Sequence, residues 1–294
     1  IKERYTSAVQ FPPQLQRRIA LIGMTLSALL AVAALIHLMT APQTTTDTRA
    51  GELTLADGTI LAYLRGGEGP SMVAIHGSPG SKSDFAGLIP ELADEYDIIA
   101  LDMPGFGDAS KRVSRYGYDA AADAVALAVE HLGLDEVIIT GFSWGGGVAI
   151  SFAARYPELT SKLLLVAAVG VPDGFHTGRY WSEYVRSLLA APSLFLYPGP
   201  LAGGVIPFAE RYGFWRGFVD SDSRAIERML PGIEDPAVIV HGRDDSVVGP
   251  ASARRHHELI PDSTLYFYDG GHGWIYREFA PLATAIREAF DAAQ

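Results

Sequence analysis

No cysteine occurs in the 294 residues, which excludes disulfides, thiolate metal sites and a cysteine nucleophile. Positive charge is also scarce. Lys and Arg number 23 against 34 Asp and Glu, and the net charge of −11 provides no basic face for non-specific nucleic-acid binding. No H-E-x-x-H or paired-carboxylate spacing points to a metal, and Gly66-Gly67-Glu68-Gly69 lacks the following Lys-Ser/Thr and helix of a phosphate cradle. Internal repeats and low-complexity tracts are absent. An oxidising compartment stays open, because a domain of this length needs no covalent staples.

What is present is apolar. A hydrophobic fraction of 48% with 19% charged residues suits a chain with a sizeable core, in one large domain or two small ones. From Ile19 to Met39 run 21 uncharged residues, whose only polar side chains are Thr25, Ser27 and His37. As a helix this run measures roughly 31 Å, the thickness of a bilayer's hydrocarbon core. Lys2, Arg4, Arg17 and Arg18 precede it against the single acid Glu3, so the N-terminus is expected in the cytoplasm and everything after Met39 outside. A helix of a soluble globular domain should show a polar face, which this run lacks. A cleaved signal peptide would carry Met39 at −3 of its best site, after Ala41. A retained anchor over residues 1–42, followed by a linker over 43–50, is the expectation.

From Gly51 the pattern becomes strands alternating with helices. Glu52–Leu55 and Thr59–Leu64 flank Asp57-Gly58, a two-residue hairpin signal. Ser71–Ile75, Asp97–Leu101, Val137–Thr140, Leu163–Val169, Ala237–Val240 and Thr264–Tyr268 read as further strands. Tyr118–Leu132, Gly145–Tyr156, Ala251–Leu259 and Ile275–Ala292 read as helices. The expectation is an α/β fold with a mostly parallel sheet covered on both faces. Residues 172–231 break the alternation with eleven aromatics, among them Tyr180, Trp181, Tyr184, Phe208, Phe214, Trp215 and Phe218. They predict a helical cap over the carboxyl edge of the sheet, where α/β folds bind ligands.

The chemistry centres on Gly141-Phe142-Ser143-Trp144-Gly145, a G-x-S-x-G motif between a strand and a helix. The chain must reverse within a residue there, which strains the serine backbone and leaves no room for side chains two positions either side. The turn lifts the Ser143 hydroxyl to a helix N-terminus, the positive end of its dipole. His76-Gly77-Ser78-Pro79-Gly80 and Asp102-Met103-Pro104-Gly105-Phe106-Gly107 follow earlier strands.

Together these motifs resemble the α/β-hydrolase superfamily, in its serine branch of esterases, perhydrolases and iminopeptidases, from about Gly51 to the C-terminus. Epoxide hydrolases and haloalkane dehalogenases of the superfamily carry aspartate at the elbow, so Ser143 argues against those reactions. The resemblance implies the chain order Ser…Asp…His. Gly242-Arg243-Asp244-Asp245-Ser246-Val247-Val248 is similar to the acid loop and selects Asp245, with Asp244 one register step away and Asp173 a more distant competitor. Gly271-His272 is similar to the base loop, while His76 and His241 sit in H-G turns that suit loop bracing and His256-His257 suit a solvated helix face. The backbone N–H groups of Ser78 and Trp144 are the implied oxyanion donors. No cofactor is expected. The substrate expected is a small ester-like molecule with an apolar part, and nucleic acid is not. The alternative reading is a non-catalytic accessory subunit of a membrane complex.

Overall fold

The computed structural model describes residues 48–172, 208–276 and 278–293, and only the backbone of 208–211, 218, 274 and 276. The apolar segment Ile19–Met39 lies outside them. Among the described residues no helix is long and apolar enough to cross a membrane.

Eight short runs form one sheet: β1 Arg49–Thr54, β2 Ile60–Gly66, β3 Ser71–Ile75, β4 Asp97–Leu101, β5 Val137–Phe142, β6 Thr160–Val166, β7 Ala237–Gly242 and β8 Ser263–Tyr268. The order across the sheet is β1-β2-β4-β3-β5-β6-β7-β8. β2 pairs antiparallel with β1 and β4, and every later pairing is parallel. Among the described residues the helices of seven residues or more are α1 Tyr118–His131, α2 Trp144–Arg155, α3 Phe208–Asp220, α4 Ser223–Met229, α5 Ala251–Leu259 and α6 Phe279–Ala292.

Because β side chains alternate between faces, each apolar strand feeds two cores. Val73, Ile75, Ile99, Leu101, Ile139, Leu163, Leu165 and Ile239 pack with Val125, Val129, Val148 and Phe152 of α1 and α2. Their alternates Met72, Ile98, Ile138, Leu164, Val238 and Val240 pack with Leu282, Ile286 and Phe290 of α6. Both faces are covered, and most polar residues of β3 to β6 sit at the amino ends, as Ser71, Asp97, Thr160, Ser161 and Lys162 do.

Several boundaries differ from the sequence expectation. β1 starts at Arg49, inside the segment read as linker. The hairpin loop has three residues, not two: Leu55 N–H donates to Thr59 O (2.8 Å), Gly58 N–H to Leu55 O (2.9 Å), and Gly58 takes φ 82°. β6 runs from Thr160 to Val166 rather than Leu163 to Val169. Ala167, at φ 46°, turns the chain aside so that Val169 N–H caps the carbonyl of Ser143 (3.0 Å). The segment expected as a single helix from Ile275 divides into a 3₁₀ turn, His272–Tyr276, and α6. Pro281 explains the break, since a proline N cannot donate inside a helix but is tolerated in the first turn, where α6 places it.

Within the predicted cap, α3 and α4 are described, and residues 173–207 are not. α3 lies on the loop after β4: a Cβ at Gly213 would meet Gly105 O at 2.6 Å, so the backbones touch directly. At its end, Trp144 Nε1–H donates to Ser221 Oγ at 3.1 Å, both groups buried. The described part of the insertion therefore sits over the carboxyl edge beside Ser143.

Candidate active site

β5 carries its chain straight into α2 through Ser143, held at φ 52°, ψ −117°. This backbone conformation is rare outside glycine and costs on the order of 1–3 kcal/mol. The surroundings enforce it. Ser143 N–H donates to Val166 O (3.1 Å), and its carbonyl accepts from Gly146 N–H and Val169 N–H, each at 3.0 Å. The two motif glycines are sterically obligatory: a Cβ on Gly141 would lie 2.3 Å from Gly145 O, and one on Gly145 2.3 Å from Ile75 O.

Asp245 and His272, the expected acid and base, lie in the loops after β7 and β8. β7 and β8 run in register to His241↔Phe267 and Gly242↔Tyr268, so their following loops emerge side by side. Arg243 N–H and Asp244 N–H then stitch the loops together, donating to Tyr268 O (2.9 Å) and Gly270 O (3.1 Å). Gly242 allows this closeness, since a Cβ there would fall 2.4 Å from Gly270 O. The result is a continuous relay. His272 Nε2 lies 3.1 Å from Ser143 Oγ, and His272 Nδ1 lies 2.7 Å from Asp245 Oδ2.

Asp245 is fixed from its other oxygen as well, where Oδ1 accepts from Val247 N–H and Val248 N–H, both at 2.9 Å. Burial pushes its carboxyl pKa up, but the His272 contact and these N–H groups outweigh burial and hold it below the usual carboxylate value. Asp244 is exposed and touches the site only through its backbone. Asp173 lies outside the described residues. The Phe142 ring stacks obliquely on the His272 imidazole, 5.0 Å between centroids, which limits how far the imidazole can tilt.

Trp144 is the first residue of α2, so its N–H has no intrahelical acceptor and faces the elbow. The His76–Gly80 loop passes next to it: a Cβ on Gly77 would lie 3.2 Å from Ser143 Cβ. The Ser78 N–H follows immediately. Asp102, of the second glycine-containing motif, is fully buried and braces that loop instead of entering the relay. Its carboxylate accepts from Lys82 N–H (2.6 Å), Lys82 Nζ (2.6 Å) and Asp108 N–H (2.7 Å).

Among the hydrogen bonds found, His272 is the histidine that meets the Ser143 hydroxyl. His241 is buried, with Nε2 2.9 Å from Val248 O and 3.6 Å from Asp245 Oδ2, so it backs the acid loop. His257 is exposed beside Ser263, as expected. His256 corrects the expectation of a solvated face: it is fully buried, with no hydrogen-bond partner at either ring nitrogen, and burial pushes its imidazole down to about 3. Its side of α5 packs toward Gly170, where the turn after β6 passes. Three contacts are not foreseen from the sequence, although all their residues but Ser221 lie in the quoted motifs: the Val247 and Val248 N–H groups on Asp245, the Phe142 ring on His272, and the Trp144–Ser221 bond. Among the described residues no cluster of three or more His, Asp or Glu is arranged to hold a metal.

Comparison with known proteins gives a consistent result. Residues 70–202 match the profile of the α/β hydrolase fold family. The chain is 30% identical over 219 residues to an uncharacterized hydrolase, YugF, of Bacillus subtilis, spanning 67% of this chain and 80% of that protein. It is 28% identical over 253 residues to the bifunctional esterase/perhydrolase DCH of Acinetobacter calcoaceticus, spanning 75% and 91%. The structure of a meta-cleavage product hydrolase from Pseudomonas fluorescens IP01 superposes with a TM-score of 0.66 at 26% identity, covering 83% of this chain and 98% of that one.

Proposed function

The chain belongs to the α/β-hydrolase family, and from that premise we propose that it hydrolyses an ester-like bond (carboxylic ester, thioester or lactone), with Ser143 as nucleophile, His272 as general base and Asp245 as the orienting acid. The single observation that carries this reading is the unbroken relay from Ser143 Oγ to His272 Nε2 (3.1 Å) and from His272 Nδ1 to Asp245 (2.7 Å) at a strained elbow. A serine hydroxyl is a poor nucleophile at neutral pH unless an imidazole takes its proton during attack.

In this reading Ser143 Oγ adds to the acyl carbon while His272 Nε2 takes the hydroxyl proton. Asp245 Oδ2 accepts from His272 Nδ1–H, which fixes the productive tautomer and stabilises the imidazolium. The Trp144 and Ser78 N–H groups receive the oxyanion, where such a donor is worth roughly 3–4 kcal/mol of barrier. Collapse breaks the acyl–oxygen or acyl–sulfur bond. The leaving group takes the proton from His272, and Ser143 is left acylated. Water then adds by the same route, with His272 as base, and releases the acid.

The aromatic-rich insertion favours a substrate with an apolar acyl or alcohol part, because α3 and α4 lie over Trp144. The esterase/perhydrolase relative supports ester chemistry over the alternative of a non-catalytic accessory subunit. The same reading tethers the enzyme to a membrane through Ile19–Met39, with residues 51–294 as the catalytic domain on the extracytoplasmic side. Four basic residues precede that segment, and within the ten after it only Arg49 is basic.

A fluorophosphonate probe tests the catalytic reading: it should label wild type and not Ser143→Ala. A folded wild type that neither reacts nor cleaves p-nitrophenyl esters of any chain length rejects it. Protease added to spheroplasts tests the topology, and full protection of the domain beyond Ala50 would reverse it.

A further inference from the structure

At the end of the sheet opposite Ser143 lies a cleft of about 470 Å³, walled by Arg49, Tyr63, Arg65, Glu68 and Asp97. Asp97 is the first residue of β4, whereas Ser143 follows the last residue of β5, and the two strands run the same way beside β3. The cleft is therefore remote from the relay.

One wall is the β1–β2 ladder, in which Arg49 pairs with Arg65 and Gly51 with Tyr63. Directly opposed residues of an antiparallel pair point to the same face, so two guanidinium groups stand side by side, which destabilises a hairpin. Arg65 is compensated on one edge of its fork. Its Nε donates to Asp97 Oδ1 (2.9 Å) and its Nη2 to Asp97 Oδ2 (2.6 Å), and Ser71 Oγ donates to Oδ2 at 3.4 Å. Asp97 is thus committed to Arg65. Among the described residues the Arg49 guanidinium, Arg65 Nη1 and the Tyr63 hydroxyl meet no partner. A Cβ on Gly51 would run into the Tyr63 ring and hydroxyl, so the absence of a side chain lets the phenol lie across β1.

The loop after β2 supplies the shape of the other wall. Gly67 and Gly69 take φ of 100° and 114°, and a Cβ on either would strike the backbone oxygen of Tyr96 or Glu95. Glu68 N–H donates to Ala93 O at 2.9 Å, which ties the loop down. The glycines of residues 66–69 therefore hold a fixed contour beside two arginines. Glu68 is exposed, where water screens its charge.

We propose that this cleft is a second binding site, which takes a phosphate group between the Arg49 and Arg65 guanidinium groups with the Tyr63 hydroxyl as a third donor. Guanidinium groups match phosphate oxygens in geometry and charge, and an anion placed between opposed arginines cancels their repulsion. A carboxylate has two coplanar oxygens and fits three separate donor groups less well. Two sources carry a phosphate, a soluble ester and a lipid headgroup. Arg49 follows Met39 by ten residues, which span at most roughly 35 Å, so a headgroup beside a membrane-embedded Ile19–Met39 is within reach.

The test is isothermal titration calorimetry on the full chain in dodecyl maltoside. The soluble probes are sn-glycerol 3-phosphate and acetate. The lipid probes are micelles doped with ether-linked phosphatidylglycerol, which an esterase cannot cleave, or with the matching dialkylglycerol, which lacks the phosphate. Saturable binding to one or both phosphate probes is expected, with each phosphate-free counterpart at least about tenfold weaker. A response to glycerol phosphate alone assigns a soluble ester, and a response to phosphatidylglycerol alone assigns a headgroup. Arg49→Gln should weaken phosphate binding about 10- to 100-fold and Tyr63→Phe about three- to tenfold. Arg112→Gln removes an exposed charge outside the cleft and should stay within about twofold.

Without ligand, Arg49→Gln should melt no lower than wild type, because it loses only the repulsion from Arg65. A lower melting temperature would mean that Arg49 already has a partner, and would overturn the proposal. So would equal weakening by Arg49→Gln and Arg112→Gln, no saturable binding to either phosphate probe, or phosphate-free probes binding as tightly as their counterparts. The measurement is of binding and not of turnover, so failure of the ester-hydrolase reading would leave it untouched.

Discussion

Replacing Asp245 by Asn should silence the enzyme through a tautomer change rather than through unfolding. The carboxylate meets three donors, His272 Nδ1–H at 2.7 Å on Oδ2 and the Val247 and Val248 N–H groups at 2.9 Å each on Oδ1. An amide has a single oxygen to offer. Turned toward the loop, it keeps both backbone bonds. Turned toward His272, it leaves the buried Val248 N–H and the part-buried Val247 N–H facing an NH₂. An unmet buried donor costs about 1–3 kcal/mol, so the loop-facing orientation wins by at least about one such unit. The NH₂ then points at His272 Nδ1, which must accept, and the ring proton moves to Nε2, opposite Ser143 Oγ. The base is gone while every backbone contact survives. A loss on the order of 10⁴ in kcat is expected, as for triad-acid amides generally, with a melting temperature within a few degrees of wild type. Asp244→Asn should stay within about twofold, because that side chain is exposed. Turnover of p-nitrophenyl butyrate by the two variants decides the matter. Retention of more than about a hundredth of wild-type kcat by Asp245→Asn, or an equal fall in Asp244→Asn, refutes the argument.

Ser143→Ala should leave less than about a thousandth of wild-type kcat, and more than that would point to another nucleophile. Ser143→Gly should be equally inactive yet more stable to urea than Ser143→Ala by about 0.5–2 kcal/mol, since glycine relieves the φ of 52° at some cost in unfolded-state entropy. Equal midpoints would mean the elbow stores no strain. His256 stays neutral when folded down to about pH 3, whereas an unfolded histidine takes up its proton near ~6.5, so the stability it permits above pH 6.5 drains away as pH falls toward 3. His256→Leu should therefore flatten the acid side of the stability curve, and an unchanged slope between pH 6.5 and 4 counts against it. Trp144→Phe keeps the ring packing but loses the Nε1–H bond to Ser221, which should cost about 1 kcal/mol and raise KM by loosening the cap. An unchanged KM would separate that bond from substrate binding.

Much of this protein is decided locally and is legible without a structure. The apolar runs of β3, β4, β5 and β7 are too short and too dry for anything but buried parallel strands, and the glycines around Ser143 are demanded by a turn that admits no side chain. Pro281 constrains the start of α6 just as locally, yet the helical periodicity from Ile275 conceals that boundary. Other features depend on groups far apart in the chain. Asp245 and not Asp244 faces His272 because β7 and β8 pair in one register, and a slip of one residue would exchange them. β6 ends at Val166 because the following turn is needed to cap the Ser143 carbonyl, a demand made from 26 residues away and invisible in the composition of Ala167–Val169. His256 looks like a helix-surface residue beside His257, and only the packing of α5 against the turn at Gly170 puts one imidazole in the core and the other in water. Local sterics and hydrophobic periodicity act within a few residues and so can be read along the chain. Which donor meets which acceptor is set by strand register and loop contact, and these exist only once the sheet has formed.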